Sequence, residues 1–335
     1  MLALYIMTTE KAVRLKLKQL DKYLLNQYKE EFSIKHKNPK TYEKDFMKKI
    51  KSSLKNLGSL ISRSVRSIII PKKTGRPSKL SLKQKLTLIL LQQLVGKSNR
   101  MMTYLLDIFF IVFGIEISYK TIERLYSDDD VRLGLLNLHN LILKEKGVEE
   151  IDASGDATGY SLTIKTHYQT FASRLGEKSK IYDGKRKKFV YKFALLDLKS
   201  KMYVCYGSSL KSEKDAYIKA MTMLSKNNVW IRSIRLDRYY SNPKDVNSYR
   251  GCDMYFIPKK NVKMKNGIYW NERLTEFVDD TFGYLQEYYR RNNSESAFGV
   301  DKKLFGWRVG QKREDRIDTV LFCKTILRNL FQLYA

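Results

Sequence analysis

Residues 189–206 read FVYKFALLDLKSKMYVCY, and this stretch decides the architecture expected for the second half of the chain. Phe189–Leu196 is a nearly continuous apolar run, which is typical of a strand buried on both faces of a sheet. Residues 198–201 then read LKSK, a turn, and a second apolar run follows at Met202–Tyr206. The pattern predicts an antiparallel hairpin within a buried sheet.

Further strands and helices are predicted on both sides of this hairpin. Upstream, Tyr160, Leu162 and Ile164 alternate with polar residues, which indicates a strand with one buried face. Downstream, the periodicity predicts a helix, a strand, a short helix and a strand, at Ser212–Ser225, Val229–Leu236, Pro243–Tyr249 and Met254–Ile257. Three strands followed by alternating helices and strands are expected of a ribonuclease H-like α/β domain, a mixed sheet flanked by helices.

This α/β domain is predicted to span residues 148–335. It includes a helical insertion around residues 259–287, a helix that carries Tyr288–Lys302, and a C-terminal amphipathic helix at Asp318–Tyr334. The rest of the chain, which precedes this domain, has a different and mostly helical pattern.

Residues 1–78 are predicted to form a basic helical arm that ends in a linker. Up to residue 80 the chain holds 20 Lys and Arg against 6 Asp and Glu, with leucines at helical intervals. Residues 71–77 read PKKTGRP, and the two prolines and the glycine exclude a regular helix there. An extended segment of this kind fits a narrow minor groove, in which Arg76 would meet enhanced negative potential, and it fits a solvated hinge equally well.

Residues 79–147 are predicted to form a helical DNA-binding region. The expected helices are Leu82–Val95, Asn99–Phe113 and Tyr119–Tyr126, followed by a fourth at Val131–Lys146 that is capped by Asp129 or Asp130. The first three resemble a helix-turn-helix module, whose last helix enters the major groove. Lys120, Thr121 and Arg124 would then be exposed while Ile122 and Leu125 pack inward. A plain helical connector would give the same pattern.

The charge of the chain indicates a polyanionic partner. Lys and Arg number 64 and Asp and Glu 35, which leaves a net charge of +29. Nucleic acid fits this excess best, because each neutralised phosphate releases condensed counterions. The sequence has no apolar run of membrane-spanning length, and the opening Met1–Met7 is too short for a signal peptide. We therefore expect no membrane partner and a cytoplasmic, nucleoid-associated protein.

Cysteine and histidine chemistry is not expected. The three cysteines are far apart, and the three histidines form none of the usual metal or phosphate-binding patterns. A tyrosine recombinase, which would need a His-x-x-Arg pair, is excluded for the same reason.

A carboxylate lies where open α/β sheets place their ligand sites. Asp237 follows the predicted strand Val229–Leu236, and residues 236–240 read LDRYY. Asp237 could hold a metal ion there while Arg238 and Tyr239 meet a phosphate and a base. The alternative is a strand-end aspartate that only caps the next turn.

A second carboxylate lies in a patterned helix. Tyr288, Arg291, Glu295 and Lys302 are spaced as Tyr-x2-Arg-x3-Glu-x6-Lys, which puts them within roughly 60° of one another around a helix. This face would place a metal-binding carboxylate between two cations and a phenol, suited to a metal ion and DNA phosphates together. A solvated helix face is the alternative, and Gly299 could end the helix before Lys302.

These four residues resemble the Tyr-x2-Arg-x3-Glu-x6-Lys signature of the DDE-type insertion-sequence transposases. Residues 156–160 (DATGY) and 236–240 (LDRYY) resemble the two other motifs of that family, in the same order. The resemblance covers Ile151 to about Tyr334. It implies a carboxylate triad of Asp156, Asp237 and Glu295 that holds two Mg²⁺ or Mn²⁺ ions and cleaves and joins double-stranded DNA, at element ends and in the target, within a synaptic homodimer.

The first motif is doubled, so the first carboxylate has an alternative. Residues 152–155 (DASG) form a second copy, and Asp152 and Asp156 lie on the same face of a strand. Asp156 is preferred because an aromatic residue, Tyr160, follows its glycine, as the family motif expects.

The resemblance also implies DNA-contacting residues. Tyr288, Arg291 and Lys302 would position the terminal strand or a flipped base through phosphate contacts. Lys259, Lys260 and Lys263 form a further basic patch, which would hold flanking DNA or else belong to a solvated loop. Two alternatives for the whole protein remain, a catalytically silent DNA-binding relic of a transposase and a metal-dependent nuclease on the same fold.

Overall fold

The computed structural model describes residues 9–31, 39–70, 78–96, 102, 105, 117–162, 189–264 and 266–334. Arg76, most of the predicted helix Asn99–Phe113, and the end of the first predicted strand at Ile164 lie outside the described residues.

The N-terminal half is helical, as predicted. Among its described residues the helices are α1 (Glu10–Gln19), α2 (Leu25–Glu31), α3 (Pro39–Arg66), α4 (Leu82–Val95), α5 (Tyr119–Leu125) and α6 (Asp129–Glu145), and a π-helical turn at Leu20–Leu24 joins α1 to α2. The predicted bounds of α4 are confirmed, because Ser81 and Gln84 form a capping box and Gly96 ends the helix with a φ of +67°. For α6 the cap is Asp128, so the predicted cap at Asp129 or Asp130 lies too late in the chain.

The C-terminal half alternates strands and helices. Its elements are β1 (Glu150–Leu162), β2 (Phe189–Asp197), β3 (Tyr203–Ser209), α7 (Glu213–Leu224), β4 (Trp230–Arg235), a 3₁₀ turn (Arg238–Tyr240), α8 (Pro243–Ser248), β5 (Asp253–Tyr255), α9 (Ile268–Asp279), α10 (Thr281–Tyr289), α11 (Asn292–Phe305), β6 (Arg308–Val309) and α12 (Glu314–Leu333).

The strands form one mixed sheet in the order β3-β2-β1-β4-β5. The pairs β1–β2 and β2–β3 are antiparallel, whereas β1–β4 and β4–β5 are parallel. The short β6 pairs in parallel with the far end of β1, at Ser161 and Leu162. The predicted hairpin and the predicted mixed sheet are confirmed, and the arrangement is consistent with a ribonuclease H-like fold.

Helices cover the two faces of the sheet. On one face α7 packs so closely on β3 that a Cβ at Gly207 would lie 2.6 Å from the backbone nitrogen of Ala220. On the other face Ser208 donates a hydrogen bond of 2.6 Å to Asp318 of α12, and α11 packs beside α12. Successive residues of a strand point to opposite faces, which explains why Gly207 and Ser208 meet different helices.

The helical half and the sheet half share one apolar core. Helix α3 packs against α6 and α12, and the Ser53 hydroxyl donates a hydrogen bond of 3.0 Å to the carbonyl of Leu330. Helix α1 reaches the segment before α9, where the Met264 amide donates to the Glu10 carboxylate at 3.0 Å. None of the described helices is both long and apolar enough to cross a membrane.

Candidate active site

The parallel strands β1 and β4 bring two of the predicted carboxylates together. Their last paired residues are Ser154 and Arg235. Asp156 lies two residues further along β1, and Asp237 lies two residues after Arg235, just beyond the end of β4, where the two strands no longer pair. Separating parallel strands leave a cleft at their carboxyl ends, and the register therefore places both side chains at its edge.

The turn between α10 and α11 adds the third carboxylate and a cation. The guanidinium of Arg291 lies 3.4 Å from the Asp156 carboxylate and 2.7 Å from the Glu295 carboxylate. The side chains of Arg291 and Asp156 are only 14% and 15% exposed, whereas that of Glu295 is 52% exposed. One largely buried guanidinium thus joins the strand aspartate to the helix glutamate, and Glu295 keeps access to solvent.

Electrostatic coupling includes Asp237 in the same cluster. Burial raises the pKa of Asp156 to about 6; the Arg291 charge opposes this rise, and the negative charges of Glu295 and Asp237 add to it. The Asp237 carboxylate also accepts a hydrogen bond of 2.7 Å from the Arg238 amide, at the start of the 3₁₀ turn. Asp237 therefore caps the turn, which was the alternative role, and it also belongs to the acidic cluster.

The predicted continuous helix from Tyr288 to Lys302 is wrong. Helix α10 ends at Tyr289 and α11 begins at Asn292, and the Ser294 amide bonds the Arg291 carbonyl at 2.9 Å in a tight turn. That carbonyl also accepts a hydrogen bond of 3.0 Å from the Ser154 hydroxyl on β1. The sheet therefore holds the break in place.

Helix α11 nevertheless keeps Glu295 and Lys302 on one side. It continues through Gly299, so that glycine does not end it. The Lys302 ammonium donates a hydrogen bond of 2.6 Å to the Thr158 hydroxyl and lies 5.4 Å from the ring of Tyr160. Thr158 follows Asp156 on the same face of β1, so α11 delivers both signature residues to this strand.

Tyr288 does not reach the surface at which we expected it to meet DNA. It is buried, and the guanidinium of Arg291 lies over its ring at 5.9 Å. The geometry fits a residue that supports Arg291, and the expected direct DNA contact disagrees with this burial.

Asp152 has a separate structural environment. The Arg232 guanidinium donates to its carboxylate at 3.0 Å, and the Ser233 hydroxyl also donates to it. Burial alone would raise the pKa of Asp152, but these hydrogen bonds hold it below its ordinary value. Both partners lie on β4, so Asp152 ties β1 to β4, whereas Asp156 is the copy that lies beside Arg291.

The remaining predicted DNA-binding residues are distributed over the surface. Lys259, Lys260 and Lys263 are exposed, and Arg238, whose guanidinium donates to the Pro258 carbonyl at 3.0 Å, connects them to the end of β4. Tyr239 is 52% exposed beside Arg238.

The predicted faces of helix α5 agree with the structure except at Thr121, which is half-buried and not exposed. Lys120 and Arg124 are exposed, whereas Ile122 and Leu125 are buried. Arg76 lies outside the described residues.

The acidic cluster has the donors that a hard divalent cation prefers, since carboxylate oxygens bind Mg²⁺ and Mn²⁺. A cation, the guanidinium of Arg291, already lies between two of the carboxylates. Within the described part of the chain, no three His, Cys, Asp or Glu side chains stand close enough to hold a metal ion. The donor chemistry fits a metal, and metal binding would require Arg291 to release the acids.

Sequence reasoning missed the two serines that fix this geometry. Ser154 and Ser294 are buried, and their hydroxyls form a hydrogen bond to each other between β1 and α11. The alternation Asp152, Ser154, Asp156 put Ser154 on the same face as the acids, which was the available signal. Nothing in the sequence pairs it with Ser294.

Comparison with known proteins identifies the family. The chain is 40% identical over 298 residues to the probable transposase for insertion sequence element ISA1214 of Archaeoglobus fulgidus, and the match covers 89% of each protein. The chain belongs to the insertion-sequence transposases. No protein-family profile matches this transposase. No solved structure matches it.

Proposed function

We propose that this transposase cleaves and joins DNA with a carboxylate triad formed by Asp156, Asp237 and Glu295. One observation supports the proposal: the Arg291 guanidinium lies 3.4 Å from the Asp156 carboxylate and 2.7 Å from the Glu295 carboxylate, and the charge of Asp237 acts on Asp156 from the end of the neighbouring strand β4. A cluster of like charges is costly to assemble. It is expected at a site that binds a cation during function.

These three carboxylates would hold a pair of Mg²⁺ ions or a pair of Mn²⁺ ions. When bound, the ions would activate water or a 3′-hydroxyl on one side and stabilise the leaving 3′ oxygen on the other. Asp156 must be ionised to contribute, so its raised pKa of about 6 predicts weaker metal binding below about pH 6.

The cations of the site would hold the DNA. When the carboxylates bind metal, the Arg291 guanidinium must release them and pair with another anion. A DNA phosphate can accept bidentate hydrogen bonds from a guanidinium, as a carboxylate can. Lys302, on α11, contacts Thr158 further along β1 and would hold a neighbouring phosphate of the terminal strand. Tyr288 would keep the Arg291 guanidinium in place.

Double-stranded DNA, as element ends and as target, is the partner that the net charge of +29 favours. The exposed Lys259, Lys260 and Lys263 would hold DNA flanking the site, and Lys120 and Arg124 of α5 would contribute to recognition of the ends. We further propose that two copies act together when two ends are synapsed, and that the protein associates with the nucleoid.

The proposal is tested by divalent-cation-dependent cleavage of a labelled element end. We expect Asp237→Asn and Glu295→Gln each to reduce the rate by at least about a thousandfold, because each removes a metal ligand. DNA affinity should stay within a few-fold of the wild-type value. The exposed Asp279 at the end of α9 supplies a matched control, Asp279→Asn, which should cleave at the wild-type rate.

Two outcomes of the same assay would support other functions. Salt-sensitive DNA binding without cleavage, identical for wild type and Glu295→Gln, would indicate a catalytically silent DNA-binding protein. Cleavage without joining of the 3′ end to a target plasmid would indicate a nuclease.

A further inference from the structure

A buried charged cluster lies beneath helix α11, on the side away from solvent. Its centre is Asp301, which is fully buried and directly precedes Lys302. The Asp301 carboxylate accepts hydrogen bonds from the Tyr203 hydroxyl at 2.9 Å and from the Arg328 guanidinium at 3.0 Å. The Lys192 ammonium, also fully buried, lies 4.0 Å away.

These partners come from three different elements. Tyr203 begins β3, Lys192 lies on β2 and Arg328 lies on α12. Arg328 also donates to the Ala297 carbonyl at 3.2 Å, one turn earlier in α11. Asp301 therefore joins α11 to the sheet and to α12 through directional contacts, which hydrophobic packing alone would not supply.

The cluster is not the simplest route to stability. Charges removed from water lose solvation that their mutual attraction only partly restores, and apolar side chains of similar size often stabilise as well. Here cations exceed anions, and the Lys192 ammonium has no hydrogen-bond partner among the described residues. The arrangement makes sense if the orientation of α11, and not only its burial, matters.

The spacing along α11 connects this cluster to the candidate active site. Ser294 and Asp301 are seven residues apart and both fully buried, so they lie on one face of the helix, two turns apart. Ser294 is held by Ser154 of β1, and Asp301 is held by Tyr203 and Arg328. Each of these buried residues directly precedes a signature residue, Glu295 or Lys302.

We propose that Asp301 is a positioning residue, which sets the rotation of α11 so that Glu295 and Lys302 face β1. Residues adjacent in a helix differ by about 100° in direction, so fixing residues 294 and 301 also fixes the directions of residues 295 and 302. This inference rests on the proposed function, because it assigns Asp301 a role in placing the triad glutamate. Hydrogen bonds from Tyr203 and Arg328 orient the Asp301 carboxylate.

Two variants of different severity test the proposal. Asp301→Asn removes the charge and leaves the buried cations uncompensated, whereas Tyr203→Phe removes one hydrogen bond and keeps the ring that packs on Phe298. Asp318→Asn is the matched control, because Asp318 is a half-buried α12 carboxylate that accepts a hydrogen bond from Ser208 of β3.

The measurements are made well below the unfolding temperature of each variant. We expect Tyr203→Phe to lower the cleavage rate about tenfold at saturating DNA and Mn²⁺, and to raise the Mn²⁺ concentration for half-maximal binding, read by calorimetry, at least threefold. End-DNA affinity should change less than twofold. Asp301→Asn should show larger effects in the same directions, and Asp318→Asn should show neither effect.

Hydrogen exchange of α11 supplies a readout that does not depend on catalysis. Amides of residues 292–305 should exchange faster in Tyr203→Phe than in Asp318→Asn variants, even if the wild-type protein proves not to cleave DNA. If Tyr203→Phe binds Mn²⁺ with wild-type affinity and its α11 amides exchange at the wild-type rate, the positioning role is overturned. This holds whether or not Asp301→Asn folds. If the wild-type protein does not cleave DNA but the α11 amides exchange faster in Tyr203→Phe, the proposed function is overturned instead.

Discussion

Two aspartates of the same strand, four residues apart, have opposite electrostatic environments. Asp156 is largely buried and lies near like charges, with Arg291 as its cation, whereas Asp152 is held by Arg232 and Ser233. The pKa of Asp156 is raised to about 6 and that of Asp152 is lowered. A carboxylate whose charge lowers the stability of the folded protein is typical of a functional site, whereas a carboxylate whose charge raises that stability is typical of a structural role.

The two aspartates should therefore affect stability in opposite directions. A raised folded-state pKa gives Asp156 a contribution to stability that is present below about pH 4 and lost as the pH rises through about 6. At pH 7.5 Asp156→Asn should stabilise the protein by about 1–2 kcal/mol, and at pH 4.5 this gain should shrink. Denaturant unfolding of both proteins at pH 7.5 and pH 4.5 measures this difference in the free energy of unfolding.

Asp152→Asn is the matched comparison. Its lowered pKa contributes stability above the ordinary pKa of an aspartate, and this contribution is lost as the pH falls through the lower folded-state value. Asp152→Asn should thus destabilise the protein at pH 7.5. Equal effects of the two substitutions would contradict the assignment of different roles.

At the scale of elements, close packing of α7 on β3 fixes one face of the sheet. The Cβ of an alanine at position 207 would overlap the Ala216 carbonyl oxygen and lie 2.6 Å from the Ala220 nitrogen, which are backbone atoms. Because side-chain rotation cannot relieve this overlap, α7 must move.

Gly207→Ala should therefore destabilise the protein by about 1–3 kcal/mol, as measured by denaturant unfolding. Gly58 of α3 is the control, since no atom lies within 4 Å of the position of its Cβ. Gly58→Ala should stabilise by about 0.5–1 kcal/mol through helix propensity. A neutral Gly207→Ala would show that the helix and strand are less tightly packed than described.

The elements with strong periodicity could be predicted from the sequence. The hairpin of β2 and β3, the bounds of helix α4, and the order of strands and helices along the chain are confirmed. The break at Arg290–Arg291 could not be predicted, because the Ser154 hydroxyl that bonds the Arg291 carbonyl there is distant in sequence. The same limit applies to the candidate site, where local motifs suggested the acids but tertiary contacts distinguish Asp152 from Asp156.

At the scale of the whole molecule, one core joins the basic helices to the sheet. Helix α3 packs through Leu57, Leu60 and Ile61, and its opposite face carries exposed lysines. Those lysines, at helical intervals, are Lys44, Lys48, Lys51 and Lys55. A rigidly packed helix holds such a row of charges in fixed positions, which favours contact with successive DNA phosphates.

Replacement of Lys48 and Lys51 by glutamine should reduce the salt dependence of DNA binding. The slope of log affinity against log salt should become shallower by roughly 1–2, since each lost phosphate contact removes about 0.9. Lys214 and Lys226, exposed on or just after α7, supply a matched double variant on the face of the sheet opposite α11. An equal change of slope in both double variants would contradict a binding role for the α3 face.

The most direct test of the triad compares the doubled aspartates in one cleavage assay. A labelled element end is incubated with Mg²⁺ and either Asp156→Asn or Asp152→Asn, at protein concentrations that saturate the DNA. We expect Asp156→Asn to lose cleavage by at least about a thousandfold, whereas Asp152→Asn, if folded, should stay within about tenfold of wild type. Retained cleavage by Asp156→Asn would contradict the assignment of Asp156, and with it the triad.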